Sequence, residues 1–144
     1  MLQIPVAKVA VLAATFAFDR PYTYKIPQPL TETLRPGCRV MVPFSRGNRP
    51  CEGMVLALDQ AQDDPRLKPI TRQLDPEPIL SPELIRLAVW MHDRFFCTIY
   101  DALHAILPAG VWYRVSTVYC AVPELDADAA LALCGAVFAR QPPV

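Results

Sequence analysis

RPGCRVMVPFSRGNRPCEGMVLALD, residues 35–59, carries the strongest structural signal in the chain. Pro36 and Gly37 form a pair suited to a type II turn, and the apolar run Arg39–Phe44 follows it directly. The polar, basic segment 45–50 separates this run from a second one over residues 51–59. Two apolar runs joined by a polar segment with a glycine predict a β-hairpin.

Further strands are predicted on both sides of this hairpin. The chain has sixteen prolines but only five glycines, which favours short strands separated by rigid turns over long helices. The predicted strands cover residues 6–13, 22–26 and 70–75, with the weakest alternation in the last of these. A later strand is predicted over 111–122.

Helical signals begin after the predicted sheet. Ser81 is a plausible N-cap, with Pro82 at the first helical position and Glu83 in the first turn. The pattern predicts a helix over residues 82–96. Its core-facing residues are expected to be Leu84, Leu87, Ala88, Met91 and Phe95.

A second helix is predicted to begin at Thr98 and to end before Pro108. Asp101, three residues after Thr98, is the expected partner in a capping box. An alanine-rich helix is predicted over 126–140. Together these elements predict an α+β fold, with a small mixed sheet of about five or six strands and two helices packed on one side.

The length of 144 residues corresponds to one domain, or to one domain and the start of another. The final predicted helix has an apolar stripe and no later element to pack against. We therefore expect a first domain over residues 1–113, with 114–144 forming a linker strand and the truncated start of a second domain.

The charge is balanced overall but uneven along the chain. Fourteen basic residues match fourteen acidic ones, which argues against a histone-like or tail-type binder. Within residues 1–54, however, basic residues outnumber acidic ones seven to three. A phosphate-bearing partner would therefore meet this half. The alternative is an ordinary solvated surface.

Catalytic and metal-binding patterns are missing from the sequence. The five cysteines are far apart and contain no CxxC pair, which argues against a zinc site and favours free thiols in a reducing cytoplasm. His92 and His104 lie in predicted helices, where histidines are usually structural or solvent-facing. The apolar N-terminal segment is interrupted by Pro5 and Lys8, so no membrane span is expected. We predict no catalytic residues, no metal and no enzyme activity for this chain.

Binding is better supported, because aromatic and basic residues alternate in two places. Single-stranded nucleic-acid binders stack bases on aromatic rings and follow the backbone with cations. The candidate residues are Arg20, Tyr22, Tyr24 and Lys25 in one segment and Arg39, Phe44, Arg46 and Arg49 around the hairpin. The alternative follows from strand alternation, which puts Tyr22 and Tyr24 on one face and Thr23 and Lys25 on the other. If the tyrosines are core residues, Thr23 is exposed.

Five segments together resemble a known family. In order they are FDRPYTYKIP (18–27), RPGCRVMVPF (35–44), GMVLAL (53–58), LKPITRQLDPEPILSPELIRLAVWMHDRFFC (67–97) and ALHAILPAGV (102–111). Their order and spacing resemble the N-terminal domain of the primosomal protein N′ family of bacterial replication-restart helicases. The resemblance runs from about residue 7 to residue 111.

The resemblance implies a function for this domain. It implies recognition of the 3′ end of the nascent leading strand at a stalled fork. It also implies that a winged-helix domain follows, beginning near the helix 126–140, and that helicase lobes and a zinc-binding insertion come later. The ATP, magnesium and zinc sites would then lie beyond residue 144. The implied partners are forked or single-stranded DNA ends, other helicase domains, and primosome and single-strand-binding proteins, with no membrane.

The resemblance also implies a pocket for the DNA end. Tyr22 and Tyr24 match the family's aromatic and tyrosine, but Thr23 stands where the family has the aspartate that receives the 3′ hydroxyl. Ser45 stands where the family has a glycine, and Lys68 fits a basic pocket residue. The expected contacts with the DNA backbone are made by Arg20, Lys25, Arg39, Arg46 and Arg49.

Replacing the aspartate by Thr23 predicts an altered pocket. Threonine can bond a hydroxyl only as a neutral group, and it does not repel a terminal phosphate. We expect DNA-end binding with weaker or less selective capture of the hydroxyl. Asp19 is expected to have a different role, such as pairing with Arg20 or capping the turn. The alternative function is a protein-interaction or interdomain module, which an apolar surface around Trp112 and Tyr113 would favour.

Overall fold

A computed structural model describes residues 3–111 of the chain. It contains one five-stranded sheet in the order β2-β1-β4-β3-β5, with antiparallel pairing in every ladder. The strands are β1 (Gln3–Val11), β2 (Tyr22–Lys25), β3 (Arg39–Phe44), β4 (Arg49–Gln62) and β5 (Arg72–Gln73). Two helices follow, α1 (Pro82–Arg94) and α2 (Ile99–Ile106). Short 3-10 turns lie at Phe16–Phe18, Gln28–Leu30 and Ala109–Val111. The predicted α+β class is confirmed.

The sheet curls so that its two edges meet. Lys25, at the end of β2, forms an isolated parallel bridge with Pro69, in the segment that leads into β5. The Lys25 amide donates to the Lys68 carbonyl at 2.9 Å, and the Ile70 amide donates to the Lys25 carbonyl at 3.0 Å. The predicted mixed sheet is therefore antiparallel in all its ladders, and only this isolated bridge is parallel among the described residues. One core of the domain includes Val9, Tyr24, Leu34, Val40, Val42 and Val55.

The hairpin forms as predicted, with β3 and β4 paired from Arg39–Met54 to Phe44–Arg49. Gly37 precedes it with φ +92°, and a Cβ there would lie 2.2 Å from the Leu80 carbonyl oxygen. Glycine is therefore required both by the backbone conformation and by the close approach. β4 is longer than predicted because its second half pairs with β1 as far as Gln3–Gln62.

The predicted helix starts are confirmed at both helices. The Ser81 hydroxyl accepts from the Leu84 amide at 3.4 Å at the start of α1. At α2, Thr98 and Asp101 form both bonds of the capping box, at 3.0 and 3.1 Å. Ile99, Tyr100, Ala102 and Leu103 of α2 are buried. They join a second core on the outer side of the sheet that includes Ala10 and Met54.

The predicted core face of α1 is only partly right. Ala88 is buried as expected, but the other buried residue of the helix is Ile85, while Leu87 is 42 % exposed and Phe95, just after the helix, is 53 % exposed. Ile85 and Leu84 differ by about 100° around the helix axis. Apolar residues occupy most of the circumference of this helix. Their spacing in the sequence therefore does not show which face of the helix is buried. The helix also ends at Arg94, two residues earlier than predicted.

Several predictions lie outside the described residues. These are the strand over 111–122 apart from its first residue, the helix over 126–140, the start of a winged-helix domain, the boundary after residue 113 and the apolar surface at Trp112 and Tyr113. Within residues 3–111, no helix is long and apolar enough to cross a membrane. The same residues contain no cluster of three or more His, Cys, Asp or Glu side chains that could hold a metal ion.

Candidate nucleic-acid interface

A cavity of about 950 Å³ opens where β2, the end of β3 and the segment around residues 66–68 meet. All five predicted pocket residues line it, namely Tyr22, Thr23, Tyr24, Ser45 and Lys68. Two of the predicted backbone-contacting residues, Arg20 and Arg46, line it as well. The remaining lining residues are Phe18, Pro43, Phe44, Asn48 and Arg66.

An aromatic wall forms one side of the cavity. The rings of Tyr22 and Phe44 meet edge to face, with centroids 5.2 Å apart and planes at 83°. The Arg20 guanidinium carbon lies 5.6 Å from the centroid of the Tyr22 ring. The Tyr22 hydroxyl donates to the Phe18 carbonyl at 2.7 Å, which holds the ring in place. A fixed aromatic surface beside a cation is suited to stacking a nucleic-acid base.

The two tyrosines of β2 differ in their roles. Tyr24 is 4 % exposed and donates from its hydroxyl to the Pro43 carbonyl at 3.3 Å, so it is a core residue that also lines the cavity. Burial, with smaller effects from Cys51 and Tyr22, raises the pKa of Tyr24 to about 12. Tyr22 is half-buried and packs against the same core. The core interpretation therefore holds for Tyr24 and in part for Tyr22.

The hydroxyl of Thr23 is bonded to a lysine that sequence reasoning did not assign to the pocket. Lys8 on β1 lies directly opposite Thr23 on β2. The Lys8 ammonium donates to Thr23 Oγ1 at 2.8 Å. The available signal was a single lysine inside the apolar run of β1, but its cross-strand partner depends on the register between β1 and β2.

Ser45 and Lys68 meet across the mouth of the cavity. The Lys68 ammonium donates to the Ser45 carbonyl at 2.7 Å. Ser45 has φ 63°, in the left-handed region that glycine enters without steric cost. The glycine that the resemblance places here would therefore suit the backbone, and serine adopts the same turn in this chain.

Three of the five predicted DNA-backbone residues, Lys25, Arg39 and Arg49, do not line the cavity. Lys25 and Arg49 nevertheless remain partly accessible. Lys25 is ion-paired with Asp63, and Arg49 is exposed at the start of β4. Arg66, which was not predicted from the sequence, also lines the cavity. It forms a bidentate ion pair with Asp64. Side-chain and backbone hydrogen bonds from Arg66 lower the pKa of Asp64 to about 2.

The expectation that Arg39 contacts the DNA backbone is wrong. The Arg39 side chain is 1 % exposed and donates to both oxygens of Asp75, at 2.9 Å from Nε and 2.7 Å from Nη2. Its Nη1 lies 3.6 Å from Glu52, which accepts a 2.7 Å bond from the Tyr100 hydroxyl on α2. Burial and this bond to Glu52 raise the pKa of Tyr100 far above its usual range. Arg39 is therefore held in the interior by Asp75, and Glu52 lies between its guanidinium and the Tyr100 hydroxyl of α2.

Asp19 also has a role other than the two that were predicted. Its side chain is 1 % exposed and accepts a hydrogen bond from the Ile99 amide at the start of α2. The same carboxylate lies 3.2 Å from His92 Nδ1. Asp19 therefore ties the loop before β2 to the helices, and it does not line the cavity in place of the missing aspartate.

Alkaline pH provides a test of the Tyr24 environment. An unfolded tyrosine loses its proton near pH 10, whereas Tyr24 in the fold keeps its proton to about pH 12. Between these values the unfolded chain binds fewer protons than the folded one, so the free energy of unfolding is expected to fall as pH rises. Urea unfolding of wild type and Tyr24→Phe across this window measures the effect.

The phenylalanine variant is expected to lose less stability over the same window. It should retain the part of the decline that comes from Tyr100, whose pKa is also raised. Identical declines in the two proteins would show that Tyr24 does not titrate late.

Comparisons with a family model and with a curated protein point to the same family. A family model described as "3′DNA-binding domain (3′BD)" of PriA matches residues 8–108, well over half of the chain. The replication restart protein PriA of Bacillus subtilis (strain 168) is 38 % identical over 107 residues, which cover 73 % of this chain and 13 % of that protein. This chain therefore spans only a small part of that relative's length. On this match, the chain belongs to the PriA 3′DNA-binding domain family.

Proposed function

We propose that this chain holds the 3′ end of a DNA strand in the cavity beside β2, as a module of a replication restart helicase that recognises the nascent leading strand at stalled forks. The observation that carries the proposal is the meeting of the Tyr22–Phe44 wall, Thr23 and Lys68 in one cavity. These groups match the three parts of a strand terminus, which are a base, a terminal hydroxyl and a phosphate.

Each part of the terminus has a suitable contact. The last base lies against the Tyr22–Phe44 wall, where stacking contributes about 1–3 kcal/mol. The last internucleotide phosphate lies near Lys68 and Arg46, which attract it by charge and hydrogen bonding. The terminal hydroxyl bonds the Thr23 hydroxyl as a neutral pair, which is weaker than a bond to a carboxylate.

The rest of the proposed activity belongs to a longer protein. The helicase activity, its ATP and magnesium site and its zinc ligands are proposed to lie beyond residue 144. The chain itself is proposed to bind DNA without ATP. Other helicase domains, primosome proteins and single-strand-binding proteins are its proposed further partners, in the bacterial cytoplasm.

One observation favours the alternative of an interaction module. Trp90 and Phe95 are 55 % and 53 % exposed, and their rings meet edge to face 5.9 Å apart. Leu87 on the same helix is 42 % exposed. Exposed apolar residues grouped in this way are typical of protein contact surfaces. Such a surface on α1 is compatible with DNA binding at the cavity.

Competition between linear and circular DNA tests the proposed function. A fluorescent single-stranded oligonucleotide bound to the chain is displaced by unlabelled linear or circular strands of equal length and sequence. We expect the linear strand to compete about tenfold better, which corresponds to about 1.4 kcal/mol for the end contacts. Raising the salt concentration should weaken both competitors.

Equal competition by the two strands would contradict end recognition. Binding that is insensitive to salt, together with concentration-dependent self-association, would favour the interaction module.

A further inference from the structure

The charge of the cavity differs from that expected of a site built around a carboxylate. Among its lining residues are four cations, Arg20, Arg46, Arg66 and Lys68, and no aspartate or glutamate. Arg66 is neutralised by Asp64. Within the described part of the chain, no ion pair joins Arg20, Arg46 or Lys68 to an acid. The cavity therefore presents net positive charge.

The Lys8–Thr23 bond makes position 23 a hydrogen-bond donor towards the DNA terminus, where a carboxylate would be an acceptor. A carboxylate at position 23 could only accept hydrogen bonds. Thr23 Oγ1 instead accepts from the Lys8 ammonium at 2.8 Å, so its own hydroxyl proton is available to donate. Lys8 makes no ion pair with an acid among residues 3–111. A hydroxyl donor backed by an ammonium group is complementary to an anion.

The two kinds of 3′ end differ in charge, and a hydroxyl donor beside cations interacts differently with each. A terminal hydroxyl is neutral, whereas a terminal phosphate carries about −1.5 to −2 charges and three strong acceptor oxygens at neutral pH. Hydrogen bonds between cations and phosphate are about twice as strong as those between neutral groups. A carboxylate at position 23 would repel that phosphate, whereas the Thr23–Lys8 pair attracts it.

We propose that this site selects DNA ends that carry a 3′ phosphate over ends that carry a 3′ hydroxyl, with Thr23 and Lys8 as the residues that set the preference. The proposal rests on the proposed function, because it concerns the chemistry of the terminus held in the same cavity. In this chain the terminal phosphate accepts from Thr23 and lies beside Lys68, while Lys8, which is outside the cavity lining, acts through its bond to Thr23.

The test compares four oligonucleotides of one sequence in the same competition assay. They are a linear strand with a 3′ hydroxyl, a linear strand with a 3′ phosphate, a linear strand with a 5′ phosphate and a 3′ hydroxyl, and a circular strand. The strand with the 3′ phosphate is expected to bind about fivefold more tightly than the strand with the 3′ hydroxyl. The strand with the 5′ phosphate carries the same added charge at the other end, and it is expected to bind like the unphosphorylated strand.

Three variants locate the preference. Thr23→Asp is expected to reverse it, so that the hydroxyl end binds more tightly than the phosphate end. Lys8→Gln keeps a donor to Thr23 but removes the charge, and it should reduce the preference to about twofold or less. Thr31→Asp introduces the same charge as Thr23→Asp at an exposed residue outside the cavity, and it should retain the wild-type preference. Circular dichroism confirms that each variant is folded.

The outcomes separate this proposal from the one on which it rests. If linear strands outcompete the circle but the two 3′ ends bind equally, the phosphate preference is overturned and end recognition stands. If a 5′ phosphate improves binding as much as a 3′ phosphate, the preference is again overturned, because added charge alone explains it. If the circle competes as well as the linear strands, the proposed function itself fails.

Discussion

Replacing Arg39 by methionine is expected to lower the free energy of unfolding by about 3–5 kcal/mol, which is the usual cost of removing one partner of a buried ion pair. The side chains of Arg39 and Asp75 are 1 % and 2 % exposed, so water cannot replace the lost contacts. Because whole domains are stable by only about 5–15 kcal/mol, this one change removes a large share of the total.

The geometry explains why the loss is large. Arg39 donates to Asp75 from its backbone amide, at 2.8 Å, and from two side-chain nitrogens. It also lies beside Glu52, which holds the Tyr100 hydroxyl of α2. Methionine leaves the carboxylates of Asp75 and Glu52 without their cation, and it loosens the attachment of α2 to the sheet.

Urea unfolding of the 144-residue chain measures the effect, and two further variants define its cause. Arg66→Met removes an ion pair in which the arginine is 90 % exposed, so it should destabilise the protein far less than Arg39→Met does. Arg39→Met combined with Asp75→Leu removes both buried charges and should be less destabilised than Arg39→Met alone. If Arg39→Met costs no more than Arg66→Met, the buried pair does not contribute as described.

Arg39 also shows which part of this fold cannot be predicted from the sequence. The hairpin and the two helix starts could be predicted because their signals are local. Pro36 and Gly37 set the turn, and Ser81, Thr98 and Asp101 occupy cap positions whose bonds are made within three residues. Arg39 shows no such signal, since its partner Asp75 lies 36 residues away.

In the candidate site, too, the local features could be predicted from the sequence and the long-range contacts could not. Alternation along β2 separated Tyr24 from Thr23, and the resemblance brought Ser45 and Lys68 to the same pocket. The bond from Lys8 to Thr23 depends on the pairing of β1 with β2, and the sheet closure at Lys25 joins residues 44 positions apart. Contacts that depend on register and closure require the three-dimensional structure, because no short stretch of the sequence encodes them.

Reversing the charge of Lys68 is expected to weaken binding of 3′-ended single-stranded DNA about 30-fold, or about 2 kcal/mol. Lys68 lies at the mouth of the cavity, where its ammonium donates to the Ser45 carbonyl at 2.7 Å. Glutamate cannot donate to that carbonyl, and it places a negative charge beside the last phosphate of the strand. The Lys68→Glu variant should therefore lose most of its advantage for linear over circular DNA. Titrations at several salt concentrations should also give a shallower slope, by about 0.7 for one lost phosphate contact.

A matched charge reversal separates a pocket contact from the effect of net charge. Arg94→Glu makes the same change in total charge at an exposed residue at the end of α1, which does not line the cavity. It is expected to weaken both linear and circular DNA by about threefold or less, and to leave their ratio unchanged. Lys68→Met, which removes the charge without reversing it, should fall between wild type and Lys68→Glu. If Arg94→Glu and Lys68→Glu weaken binding equally, Lys68 contributes only to the overall field of the protein, and the last phosphate does not lie at the mouth of the cavity.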